Sequence, residues 1–225
     1  MDYETLTVLY RSRQTLLKIL ADRGYDTVRY EKFGPIEISA MEAAGPTAFQ
    51  MDLEQAADTS EQAAPATGAI TKCRVVYSLA RIKNRLESFM ADLLDEEMLN
   101  PIDPTTTEVI VILLEPVVAA FHAAALSALA RPGQDKLRIS FFQAHTLVNN
   151  PFDHVLVPKH ELLPASQHAA FLKENNIKTK ANLPLIKFHE DIIARLMGLQ
   201  PGDIVKITRP SPSAGEYTVY RLCAP

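Results

Sequence analysis

Six consecutive apolar residues, Val109-Ile110-Val111-Ile112-Leu113-Leu114, end abruptly at Glu115-Pro116. A run this short, rich in branched side chains and lacking any polar face, predicts a central strand buried on both sides, as in parallel sheets. An alanine-rich helix from Val117 to about Ala130 follows, stopped by Pro132-Gly133, and Leu137 to Phe142 reads as a further strand. Upstream, Val75-Val76-Tyr77 suggests another strand, followed by a helix through Ile82, Leu86, Phe89, Met90 and Leu93. Strand, helix, strand in this order indicates an α/β layer. The leading segment, Thr5 to Ala21, gathers Leu6, Leu9, Leu16, Leu17 and Leu20 on one side of a helix, with Arg11, Arg13 and Lys18 among the intervening positions. Gly24 supplies its left-handed stop.

Two composition shifts organise the rest. From Phe33 through Thr71 there is no Lys or Arg, and 52–70 reads as a mobile acidic loop, because its Ala, Ser, Thr and acids bury too little apolar surface to offset ordering entropy. Asn149-Asn150-Pro151 then punctuates the chain, and short strands around small helices follow. Val155-Leu156-Val157 is expected as a brief strand. Pro164 opens a helix containing Phe171 and Leu172, and Asp191 to Met197 forms another helix capped by Gly198. Gln200-Pro201-Gly202-Asp203 matches a type II turn, and Ile204–Arg209 and Glu216–Leu222 are strands around the loop 210–215. The expected domains are therefore an α/β domain at 1–148 and a small α+β domain at 151–225. Charge shifts at the same place: 1–150 holds fourteen basic against twenty acidic residues, and 151–225 holds nine against seven.

Several function classes lack material. A net charge of -4 argues against a protein that wraps nucleic acid by itself, since phosphate binding draws on clustered Lys and Arg. No stretch approaches the roughly 18 apolar residues needed to cross a bilayer, and the Met1-Asp2-Tyr3-Glu4 start lacks the order of a secretory signal, so no membrane partner is expected. The two cysteines, Cys73 and Cys223, suggest neither a disulfide framework nor a thiolate zinc site. With 8 glycines and no phosphate-binding or nucleophile-elbow motif, no cofactor is expected. His189-Glu190-Asp191-Ile192-Ile193 begins like a zinc-protease helix but has Ile193 where the second histidine belongs. Cleavage by metal-bound carboxylates would need Glu-x-Lys along a strand, and Glu108 is followed by Val109-Ile110.

His154, His160 and His168 lack a carboxylate or thiolate at metal-ligand spacing, which favours turn and interface packing. Arg195, Arg209 and Arg221 could hold phosphate or the carboxylates of a protein partner, since guanidinium forks suit both. Tyr217 and Tyr220 fall on opposite faces of their strand, so one is expected in the core while the other is free to reach an interface.

An ordered set of motifs spans the last 72 residues: His154-Val155-Leu156-Val157-Pro158-Lys159-His160, Leu183-Pro184, Ala194-Arg195, Gly198-Leu199, Pro201-Gly202, Val205-Lys206-Ile207, Arg209-Pro210-Ser211, Ala214-Gly215, Tyr217 and Tyr220-Arg221. This set resembles the C-terminal domain of the shared fifth subunit of eukaryotic nuclear DNA-directed RNA polymerases, which is similar to a small archaeal RNA polymerase subunit. The leading helix closed by Asp22-Arg23-Gly24-Tyr25 extends a fainter resemblance to the N-terminal half.

The resemblance implies a nuclease-like α/β jaw domain followed by a small α+β assembly domain of the kind found in that archaeal polymerase subunit. It implies a non-catalytic role in transcription within a polymerase complex in the nucleus, or the nucleolus for polymerase I. The implied partners are the largest polymerase subunit, a neighbouring small shared subunit and downstream DNA near the jaw. Partner contacts would fall on His154, Pro158, Lys159, His160, Arg195, Arg209, Tyr217, Tyr220 and Arg221. The chain departs from the family where Glu115-Pro116-Val117-Val118-Ala119 replaces the usual Thr-Pro-Ser-Ala turn and its basic residue, which weakens the expected DNA contact. Leu185 and Ile192 are smaller departures. The alternatives are a free-standing interaction protein built on the same C-terminal module and a divergent nuclease-fold DNA-binding protein.

Overall fold

A computed structural model describes residues 2–56, 70–94, 101–131 and 136–225. The chain divides into two compact units, with Pro151–Pro225 in the second.

The first unit opens with α1 (Tyr3–Asp22), whose start is fixed by the Asp2 carboxylate accepting the Thr5 N–H at 3.2 Å. Its end is a Schellman closure: Gly24 takes φ 89°, its N–H reaches the Ala21 carbonyl, and the Tyr25 N–H reaches Leu20. Leu9, Leu16, Leu17 and Leu20 of the stripe are buried as expected, and Arg13, among the intervening positions, is buried with them at 1% exposed. It lies four residues after Leu9 on the inner face. There its guanidinium donates to the Phe49 carbonyl at 3.2 Å and sits 5.8 and 5.6 Å from the Tyr30 and Phe33 ring centres.

A helix not expected from the sequence follows, α2 (Pro35–Ala44), with Pro35 at its first turn and the Glu37 carboxylate accepting the Gly34 N–H at 2.9 Å. The four strands β1 (Met51–Glu54), β2 (Lys72–Ser78), β3 (Thr107–Leu113) and β4 (Arg138–Gln143) lie side by side in that order. β1 runs antiparallel to β2, and β2, β3 and β4 are mutually parallel. Every residue of β3 is buried, the outcome required of an apolar run flanked by two parallel neighbours. Two helices, α3 (Leu86–Leu93) and α4 (Ala119–Leu129), follow β2 and β3.

β1 corrects the loop expected from 52 onward. Met51 and Leu53 are buried while Asp52 and Glu54 face outward, and Arg74 and Lys72 across the ladder pair with those two acids. Asp52 and Glu54, two of the acids that suggested disorder, are the outward half of an alternating edge strand. Residues 57–69 of the expected loop lie outside the described residues.

The second unit is a mixed sheet of order β5-β7-β8-β6, built from β5 (Lys159–Leu163), β6 (Leu185–Lys187), β7 (Ile204–Ser211) and β8 (Gly215–Ala224). β5 and β8 are antiparallel to β7, and β6 is parallel to β8. Two short helices, α5 (His168–Glu174) and α6 (Ile192–Leu196), complete it. Gly202 at φ 101° and the Asp203 N–H to Gln200 carbonyl bond of 3.0 Å form the expected tight turn. Phe171 of α5, Leu183 and Ile204 form a small core with Leu163, Leu172, Ile177, Tyr220 and Leu222 against it.

Val155-Leu156-Val157 is a turn, not the expected strand. The His154 carbonyl accepts the Val157 N–H at 2.8 Å, and its ring Nδ1 accepts the Leu156 N–H at 3.2 Å. These local bonds engage donors that a ladder would need, and Pro158 supplies none. The strand therefore begins at Lys159. No helix among the described residues is long and apolar enough to cross a membrane.

Candidate functional site

Of the expected contact residues, Lys159, His160, Arg209 and Tyr217 fall at one end of the second sheet. Antiparallel register sets Lys159 beside Thr208 and His160 beside Ile207, and pairs Arg209 with Tyr217 one rung further along. The 154–157 turn leads into β5 through Pro158. The Arg209 guanidinium stands 5.2 Å from the centre of the Tyr217 ring, a stacked cation that keeps its N–H fork available. On the turn, Val155 is 96% and Leu156 83% exposed, large apolar side chains open to solvent among the described residues. Lys159 is ion-paired with Glu161, which also meets Lys206 at 3.3 Å, and these pairs raise the Lys159 ammonium pKa and lower that of the Glu161 carboxyl. The second unit thus exposes an apolar turn and, on its β7–β8 ladder, a cation over an aromatic ring.

His154 and His160 shape the turn. His160 Nδ1 lies 2.7 Å from the Pro158 carbonyl, so it carries the hydrogen, whereas His154 Nδ1 accepts from Leu156. His168 is the buried first residue of α5, its Nε2 donating to Leu163 and its Nδ1 accepting from Lys180 at 2.7 Å. The three imidazoles thus have separate structural bonds, and no group of three or more metal-ligating side chains assembles among the described residues.

The three arginines do not form one patch. Arg221 lies four residues along β8 from Tyr217, about 13 Å at strand rise, and donates to the Leu185 carbonyl at 3.1 Å. Arg195 is on α6, half-buried, its guanidinium lowered to about 10 by loss of water with Asp191 opposing the shift. Tyr220 turns inward, its ring 4.2 Å from Phe171, while Tyr217 stays half-exposed. The sequence pattern places Val155 and Leu156 in a strand and so misses their exposure on a turn. The signal that could expose them is the His-x-x-x-Pro frame, since His before a turn and Pro after it both favour local bonding.

In the first unit, Glu108 accepts from Arg23 at 2.8 Å and from the Tyr25 hydroxyl at 2.9 Å. Burial, followed by the Glu108 charge, raises the Cys73 thiol and Tyr25 hydroxyl above their ordinary ranges. The carboxylate at the start of β3 is thus an internal counter-ion to Arg23. Glu115 is likewise engaged: one oxygen accepts the backbone N–H groups of Ile82 and Lys83 at 2.7 and 3.1 Å.

Comparison with known proteins follows the same division. A family described as RNA polymerase Rpb5, C-terminal domain, matches residues 149–223. The DNA-directed RNA polymerases I, II, and III subunit rpabc1 of Dictyostelium discoideum is 28% identical over 220 residues, 98% of this chain and 99% of that protein. The DNA-directed RNA polymerase subunit Rpo5 of Sulfurisphaera tokodaii is 50% identical over 72 residues, 32% of this chain and 83% of the relative. Its counterpart in Archaeoglobus fulgidus is 53% identical over 70 residues, 31% of this chain and 90% of the relative. Shared along its whole length with a eukaryotic subunit and along its second unit with archaeal ones, the chain belongs to the Rpb5/Rpo5 family of DNA-directed RNA polymerase subunits.

Proposed function

We propose that the chain is a non-catalytic structural subunit of a nuclear DNA-directed RNA polymerase, docking through its second unit on the largest subunit beside a neighbouring small shared subunit. The observation that carries this reading is the second unit's exposed surface: the turn leading into β5 leaves Val155 and Leu156 open to solvent, and the β7–β8 ladder sets Arg209 over the Tyr217 ring. Such a surface is costly to leave in water and suits a complementary apolar pocket with carboxylates at its margin. The first unit, with its parallel strands, takes the place of a nuclease-like jaw beside downstream DNA, in the nucleus and, for polymerase I, the nucleolus. Polymerisation belongs to other subunits in this reading, in keeping with the engagement of Glu108 by Arg23 and Tyr25.

Assembly and phosphate binding are separable for Arg209. Removing an arginine from a desolvated pair costs on the order of 2–5 kcal/mol of binding, whereas losing an exposed phosphate contact mainly flattens salt dependence. Arg209→Ala and Leu156→Asp are each expected to reduce co-purification with the largest subunit while leaving duplex-DNA affinity unchanged across a salt series. Wild-type assembly with a loss of DNA affinity and salt slope would replace this reading with a phosphate patch.

A further inference from the structure

α4 contains no charged residue. Its inner face buries Phe121, Ala125 and Ala128, yet its outer positions Ala119, Ala120, Ala123 and Ser127, and Ala130 at its C-cap, are exposed without offering water a single charge. A surface helix ordinarily carries charged or strongly polar groups on that side. Beside it, α3 and the segment leading into it enclose, with α4, a groove of about 840 Å³. The floor includes Ala120, Ala123 and Ala124, and the rim carries Lys83, Arg85 and Arg131. Glu87 is the acidic residue in the lining. Lys83 and Arg85 are exposed and take part in none of the ion pairs recorded among the described residues. Their segment is nonetheless held in place, because Glu115 binds the backbone N–H groups of Ile82 and Lys83.

We propose that this groove binds an acidic amphipathic helix of a protein partner, its apolar ridge on the alanine floor and its carboxylates facing Lys83, Arg85 and Arg131. Alanines allow a second helix to approach closely, and the interval from Ala120 to Ser127 spans about 10 Å, which matches about two turns of a partner read at i, i+3, i+4 and i+7. The same features disfavour nucleic acid. A phosphate backbone gains nothing from an uncharged apolar floor, and residues 1–150, with six more acids than bases, repel a long polyanion.

The test is fluorescence anisotropy on the full chain with three labelled probes. The first is a helical peptide of about 15 residues with leucine anchors and glutamate flanks, a length at which an isolated helix becomes marginally stable. The second replaces each glutamate with lysine, and the third is a short DNA duplex. The wild-type chain is expected to prefer the acidic peptide by at least about tenfold, and Arg85→Glu combined with Arg131→Glu to reverse the preference. Ala123→Gln, an exposed and helix-compatible change that raises the floor, is expected to weaken the acidic peptide without altering far-ultraviolet circular dichroism. Absence of acidic-peptide binding, equal binding of both peptides, or preferential DNA binding lost on the same charge reversal would each overturn the proposal.

Discussion

Glu108 opens β3 with a charge in the midst of an apolar strand, and Arg23 and Tyr25 at the end of α1 make it tolerable. Water loss alone would lower the arginine's pKa, but the adjacent carboxylate overrides that and raises it above its usual value. Breaking such a pair strands a buried charge. Arg23→Ala is therefore expected to lower stability by about 3–5 kcal/mol in urea unfolding, and Arg23→Met with Glu108→Leu to cost much less than that single change. His168 gives a pH test. Burial lowers its pKa, the Lys180 ammonium acts in the same direction, and the Leu163 carbonyl and Asp203 oppose it. Its contribution to stability is thus fully present above the ordinary imidazole value of about 6.5 and is lost as pH falls through the lower folded-state value. Urea midpoints measured from pH 8 downward should fall more steeply for the wild type than for His168→Gln; parallel curves would rule out this linkage. None of these partnerships was legible in the sequence. Arg13 occupies a spacing shared by buried and exposed positions, and Glu108 meets residues more than eighty positions away.

At the scale of elements, strong patterns were readable and weakly patterned segments were not. The branched run became the buried β3, and the leucine stripe became α1 with Gly24 closing it. α2 escaped notice because only Ile38 is buried along it, so it has no apolar stripe to betray its period. β1 escaped because two of its four residues are acids whose basic partners stand on β2. The Val155-Leu156-Val157 triplet misled in the opposite direction, since three strand-forming residues carry less weight than the bonds His154 makes around them. Half of the candidate surface could therefore be named from the sequence, including Lys159, His160, Arg209 and Tyr217, but its apolar tip emerged from the turn geometry. Leu156→Asp should leave thermal stability within about 0.5 kcal/mol of wild type, as expected for an exposed site, while abolishing assembly. A large loss of stability would show that the turn packs within its own unit.

At the scale of the molecule, the second unit carries the more specific inheritance. A stretch of 72 residues is 50% identical to an archaeal protein, whereas the 220 residues aligned with a eukaryotic relative are 28% identical. Its sheet, its Phe171–Leu183–Ile204 core and its turns lie within 151–225. We propose on that basis that 151–225 folds alone, and cooperative urea unfolding of the expressed fragment is the expected outcome. The most direct measurement is the native size and composition of the affinity-tagged full chain, by size exclusion followed by mass spectrometry of what travels with it. The account predicts elution with a multi-subunit complex containing the largest polymerase subunit, and loss of that subunit from the Leu156→Asp preparation. Elution at the size of the free chain, with no polymerase subunit accompanying it, would contradict it.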